Sequence, residues 1–148
     1  MNAALYGIAK VAEINGIKIT GILKGYEGMI NGDFSPLKSS DLKKMVHRGG
    51  TLLKTARSKR FLTIEGRKLA LKHLQENNID ALIAIGGDGT FKGLLTFSEI
   101  CDIPFIGIPG TIDNDISGTD YTLGFDSAVN TAIENIDKIK DTAESHNR

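Results

Sequence analysis

Ala81-Leu82-Ile83-Ala84-Ile85 is an uninterrupted apolar run that passes directly into Gly86-Gly87-Asp88-Gly89-Thr90. An apolar stretch without polar alternation marks a parallel strand covered on both faces. Such a strand demands helices above and below it, which commits the chain to an α/β architecture. A second run, Ile103 to Ile108, behaves the same way and enters Pro109-Gly110-Thr111-Ile112-Asp113-Asn114-Asp115. Open sheets of this kind bind ligands beyond the carboxyl ends of their strands, and both polar loops stand at such ends.

The remaining pattern alternates helix and strand. Ala4, Ile8, Val11 and Ala12 recur at helical spacing, and Asn15-Gly16 ends that helix. Ile17 to Leu23 reads as a strand, followed by a loop containing Gly25, Gly28 and Gly32. Ser40 is placed to cap a short helix reaching about Val46, which Gly49-Gly50 stops. Ile64 to Leu74 is an amphipathic helix with Asn77-Asn78 suited to a left-handed cap. A helix from about Thr90 to Glu99 joins the two apolar runs. Phe125, Ala128, Val129, Ala132, Ile133, Ile136 and Ile139 make the clearest helical face in the chain.

Bulk properties narrow the function. With 148 residues the chain is one domain, long enough for a core and short for an enzyme with two substrates. Lys plus Arg equals Asp plus Glu at 18 each, so no global field favours nucleic acid or a membrane surface. The single cysteine, Cys101, excludes an internal disulfide and suits a reducing compartment. No membrane-length apolar run and no signal-peptide pattern occur, and the expectation is a soluble, cytoplasmic protein. His47, His73 and His146 lack the spacing of metal ligands.

The first loop suits phosphate. Glycines after a strand let backbone N–H groups approach phosphate oxygens, and the helix that follows adds its positive end. Asp88 then fits a Mg²⁺ ligand, since Mg²⁺ takes oxygen ligands and keeps water. The competing reading is a plain turn with a helix cap. Neither the dinucleotide-binding glycine fingerprint nor the lysine-bearing phosphate loop is present. In the second loop Thr111, Asp113 and Asp115 lie at i, i+2 and i+4, one face of an extended segment. A carboxylate there can orient an attacking hydroxyl and take its proton. An Asx-rich turn that only bonds its own backbone is the alternative.

These motifs resemble the ATP-dependent 6-phosphofructokinase family of bacterial type. The resemblance rests on Met1-Asn2-Ala3-Ala4, Gly49-Gly50-Thr51 leading to Arg57, Gly86 to Thr90, Pro109 to Asp115, Gly118-Thr119-Asp120-Tyr121-Thr122, and Ser145-His146-Asn147-Arg148. It implies a three-layer Rossmann-like α/β sandwich with a mostly parallel sheet, lacking the family's first strand. Residues 1–148 would be part of an N-terminal ATP-binding domain with the second domain absent, and little or no kinase activity is expected of them alone. The activity implied is transfer of the ATP γ-phosphoryl group to the 1-hydroxyl of fructose 6-phosphate, with Mg²⁺.

By the same resemblance, Asp113 is the base, with Thr111, Ile112 and Asp115 beside it on the sugar side. Asp88 is the Mg²⁺ ligand, and Arg57 stabilises charge on the transferring phosphate. Tyr26, Ser58, Gly87, Gly89, Thr90 and Gly93 fall at nucleotide-side positions. Arg148 matches an arginine that reaches a neighbouring subunit's sugar phosphate in a homotetramer. Pyrophosphate-dependent relatives carry Asp at the place of Gly89 and Lys at the place of Gly110, so glycine at both implies ATP. A pyrophosphate-dependent enzyme and a non-catalytic phosphate- or nucleotide-binding subunit are the alternatives. Effector-site arginines of the family are matched by Tyr6, Lys10, Ser39 and Lys140, which implies weakened activation by nucleoside diphosphate. Ser58 and Leu62 replace an aromatic and an arginine common near the nucleotide.

Overall fold

Helix α1, Asn2–Ile14, buries Leu5, Ala9 and Ala12 on one stripe and stops where Gly16 turns left-handed at φ +67°. In the computed structural model, which describes residues 1–146, the chain continues as β1 (Thr20–Ile22), α2 (Gly25–Asn31), β2 (Phe34–Pro36) and α3 (Ser39–Lys43). A 3-10 turn at Arg60–Leu62 leads into α4 (Ile64–Glu76), β3 (Leu82–Gly86), α5 (Asp88–Ser98), β4 (Phe105–Pro109) and α6 (Phe125–Ser145).

The expected parallel pairing is present between β3 and β4. Leu82 faces Phe105, and the register runs without slip to Gly86 opposite Pro109. The sheet is smaller than the strand pattern implied. β1 and β2 form a separate antiparallel pair, Thr20 opposite Pro36 and Ile22 opposite Phe34. Cover on both faces is also incomplete. Leu82 and Phe105 lie against the main core, whereas their neighbours Ile83 and Ile106 are exposed. On that second face, the cluster of Leu5, Ala9 and Leu42 meets β3 only at Ile85.

Two further differences follow from burial. The glycine-bearing segment after β1 is helical rather than a loop, because Met29 and Ile30 are both driven to 2 % exposure. Its glycines serve the helix: Gly32 caps it at φ +75°, and a Cβ on Gly28 would run into the Leu23 carbonyl. Helix α3 starts at Ser39 with Lys38 as its cap, so Ser40 lies inside the first turn. At α4 the cap is Thr63, whose hydroxyl accepts from Gly66 N–H at 3.1 Å. The left-handed residue beyond that helix is Asn78, at φ +52°.

The main core joins Met29, Ile30, Phe61, Ala70, Leu74, Phe97 and Cys101. Through it runs an aromatic series. Tyr26 stacks on Phe61 at 3.9 Å, Phe61 meets Phe97 at 5.4 Å, and Phe97 meets Phe105 at 5.9 Å. Offset and tilted ring pairs of this kind add to area burial. The series ties α2 and the 3-10 turn to α5 and β4, the elements that carry the polar loops. The apolar face of α6 forms as its periodicity predicts, yet none of its residues is buried among the described residues.

Candidate active site

The register of β3 and β4 brings the two loops together. Because Gly86 and Pro109 are partners, both strands end at one level, and Gly110 N–H donates to the Gly86 carbonyl at 2.9 Å. The glycine turn then enters α5 one residue on, with Gly87 as the cap and Asp88 as the first helical residue. The helix therefore starts two residues earlier than Thr90. A Cβ on Gly87 would lie 3.5 Å from Thr111, so the glycine turn and the hydroxyl-bearing loop are direct neighbours.

Asp88 is more than half exposed and already pairs with a cation: Lys92 Nζ lies 2.7 Å from its Oδ2, one helical turn on. The hydrogen bond to Asp88 holds the Lys92 ammonium above its ordinary range, with the charge attraction adding to it. Gly89 points into open space, with nothing near an added Cβ. Thr90 and Gly93 face Tyr26. Its hydroxyl donates to the Thr90 carbonyl at 2.5 Å, and a Cβ on Gly93 would stand 2.8 Å from its ring. Burial pushes the Tyr26 phenol up, so it remains a donor at any working pH.

In the second loop Thr111 and Asp113 are joined. Asp113 N–H donates to Thr111 Oγ1 at 3.2 Å, and that hydroxyl reaches Asp113 Oδ2 at 3.3 Å. The shared extended face ends there, because Asn114 takes a left-handed conformation at φ +51° and turns the chain. Asp115 and Ile112 are exposed, and Asp115 has no side-chain hydrogen bond among the described residues. Asn114 and Thr122 shape this loop, a role the sequence pattern left unassigned. Asn114 Oδ1 accepts from Thr122 N–H at 2.9 Å, and the buried Thr122 hydroxyl donates to the Thr111 carbonyl at 2.7 Å. The signal was readable only in part: asparagine tolerates the left-handed turn, but its partner lies eight residues on.

Arg57 is exposed and without an ion-pair partner among the described residues. The next residue, Ser58, is tied down by Glu27, and Arg60 reaches the same carboxylate. Lys10 and Ser39, two of the positions matched to an effector site, both turn to Glu13, and Lys140 pairs with Glu144. Arg148 lies outside the described residues. No group of three or more metal-ligating side chains occurs among the described residues. A Mg²⁺ ion bound by one carboxylate and donor phosphates needs none, and the carboxylate of Asp88, open enough to hold an ammonium, fits that mode. No helix among the described residues is long and apolar enough to cross a membrane.

A parallel strand pair ending in a glycine turn at a helix N-terminus, beside a hydroxyl–carboxylate loop, defines an α/β domain with its polar loops at the carboxyl ends of its strands. The chain belongs to the phosphofructokinase family, whose model matches residues 1–148. It is 54 % identical over its whole length to the ATP-dependent 6-phosphofructokinase 1 of Thermus thermophilus, covering 46 % of that protein. To the ATP-dependent 6-phosphofructokinase 2 of Bacteroides thetaiotaomicron it is 48 % identical, covering 45 %. It thus spans about half the length of the curated relatives it matches. Among solved structures, phosphofructokinase from Saccharomyces cerevisiae superposes on all of the chain with a TM-score of 0.90 at 34 % identity, over 23 % of the yeast chain. A pyrophosphate-dependent phosphofructokinase from Marinobacter aquaeolei matches 84 % of the chain and 33 % of its own with a TM-score of 0.72, and at 24 % identity it shares the fold.

Proposed function

We propose that this chain carries the donor and acceptor loops of an ATP-dependent 6-phosphofructokinase. The reaction is transfer of the γ-phosphoryl group of ATP to the 1-hydroxyl of fructose 6-phosphate, giving fructose 1,6-bisphosphate in glycolysis. The observation that carries this reading is the β3–β4 register, which sets Gly87 of the phosphate turn against Thr111 of the hydroxyl-bearing loop. The names of relatives near 50 % identity supply the substrate class.

In this reading the N-terminus of α5 and the backbone of Gly87, Gly89 and Thr90 hold donor phosphates. Asp88, whose carboxylate is paired with Lys92 in the structure, would hold Mg²⁺, and that ion would neutralise charge on the donor phosphates. Asp113 orients the sugar hydroxyl and accepts its proton, with Thr111 fixing the carboxylate through the contact already in place. Arg57, the free guanidinium of its loop, meets the transferring phosphate. Tyr26, Ser58 and Gly93 line or support the nucleotide side, and Ile112, Asp115 and Arg148 belong to the sugar side. A homotetramer, a cytoplasmic location and weak effector activation belong to the same reading. The last is supported by Glu13, which engages Lys10 and Ser39 in place of an effector phosphate.

The test is Asp113→Ser in the full-length enzyme. Loss of a positioned base lowers turnover by about 10²-fold or more, and the KM for ATP stays unchanged. Equal losses in turnover and ATP binding would make Asp113 a structural residue.

A further inference from the structure

Helix α2 reaches both sides of the nucleotide region through two consecutive side chains. Tyr26 donates to the Thr90 carbonyl in the first turn of α5 and stacks on Phe61. Glu27 accepts from Ser58 Oγ at 2.6 Å and from Arg60 Nη1 at 2.8 Å. The same Arg60 nitrogen bonds Asn31 Oδ1 at 2.8 Å, one turn further along α2. Ser58 Oγ in turn accepts the Phe61 N–H at 3.2 Å, which closes the turn into the residue that stacks on Tyr26. Residues 58 to 61 are thus held to α2 by side chains at both ends, while Arg57, the residue immediately before, is free and exposed.

We propose that Glu27 is a positioning residue: its carboxylate, shared by Ser58 and Arg60, sets the reach of Arg57 toward the phosphate turn of α5. The inference rests on the role given to Arg57 above. Physical chemistry favours the arrangement for two reasons. Arg57 lies in irregular chain, and an arginine that must meet a phosphate loses rate and affinity when its backbone wanders by an ångström. Glu27 is only 24 % exposed at its side chain, so its charge-assisted bonds are better shielded than those of a fully solvated pair. Meanwhile Tyr26 pins the other partner of the encounter, the first turn of α5. One rigid helix therefore references both the cationic loop and the phosphate-binding turn.

The experiment compares Glu27→Ala and Glu27→Gln in the full chain, with and without Arg57→Ala, by calorimetric titration of MgATP and MgADP and by limited trypsin digestion. Removing a charge-assisted tether is expected to weaken MgATP about tenfold while leaving MgADP nearly unchanged. That difference should vanish in the Arg57→Ala background. Glu27→Gln, which keeps an acceptor for Ser58, should recover part of the loss. Trypsin should cut faster after Arg57 and Lys59 in Glu27→Ala, at an unchanged rate after Lys138. Equal weakening of both nucleotides, or the same loss without Arg57, would make Glu27 a support of the fold alone and overturn the proposal. An unchanged cleavage rate would remove the tether itself. Absence of MgATP binding in the parent would instead strike the functional reading, and the positioning role would fall with it.

Discussion

Gly89 separates the donor question from the folding question at a single position. An added Cβ there meets no atom, and the residue is second in α5, where a carboxylate is favoured by the helix dipole by about 0.3–1 kcal/mol. Gly89→Asp should therefore leave the melting temperature unchanged or raised. The new charge would stand beside Asp88 where donor phosphates approach, and repulsion of that kind should weaken ATP about tenfold or more. Titration of ATP alongside a thermal melt checks both halves; unchanged ATP affinity would sink the reading of the donor. Gly110 is a different case, because a Cβ there would press on the Ile85 side chain at 2.7 Å, and any side chain must first shift that methyl. The Lys92–Asp88 pair, at the i, i+4 spacing where opposite charges meet on a helix, was readable only once α5 begins at Asp88 rather than near Thr90. Glu27 was not, since Ser58 and Arg60 lie 31 and 33 residues away.

Among the elements, the loop from Pro109 to Gly124 shows how a polar sequence becomes a shaped surface. Leu123 N–H returns to the Pro109 carbonyl at 3.0 Å, and Thr122 and Asn114 close the interior. Thr122→Val keeps the volume and strands the Thr111 carbonyl, which should cost about 1–3 kcal/mol. Asn114→Ala should cost a similar amount, and the double variant less than the sum, because the two share one network. Urea unfolding of the three variants measures this; strict additivity would mean that the bonds act independently. Helices α1, α4 and α5 and both parallel strands were readable from apolar periodicity to within one or two residues. Helix α2 was not, because two glycines in its span and a third at its cap signal a loop locally, while the burial of Met29 and Ile30 that overrides them depends on α4 and the 3-10 turn.

For the molecule taken together, charge balance makes acid the informative condition. The carboxyls of Glu27 and Glu13 are held below their ordinary value of 4.5, the first by the Ser58 hydroxyl and then Arg60, the second by the Ser39 hydroxyl and then Lys10. A carboxyl lowered in the folded state contributes stability that is complete above 4.5 and is lost as pH falls through the folded value. Thermal midpoints should thus be flat just above that value and decline below it. Glu27→Gln should be less stable at neutral pH and should shallow the acid decline. An acid limb identical in parent and variant would show that Glu27 gains nothing from its partners.

The arrangement of apolar runs, glycine turns and helical periodicity settled the α/β class, the two loops and their placement at strand ends, because each is a property of neighbouring residues. The motifs in those loops also carried the family. Which strands pair, which helical faces are covered, and how the loops meet are relations between distant segments, and they arise only on packing. So the β3–β4 register, the burial of α2, the open face of α6 and the shared carboxylate of Glu27 came from the tertiary structure. Burial and long-range hydrogen bonds depend on what arrives from elsewhere in the chain, and no local pattern encodes that arrival.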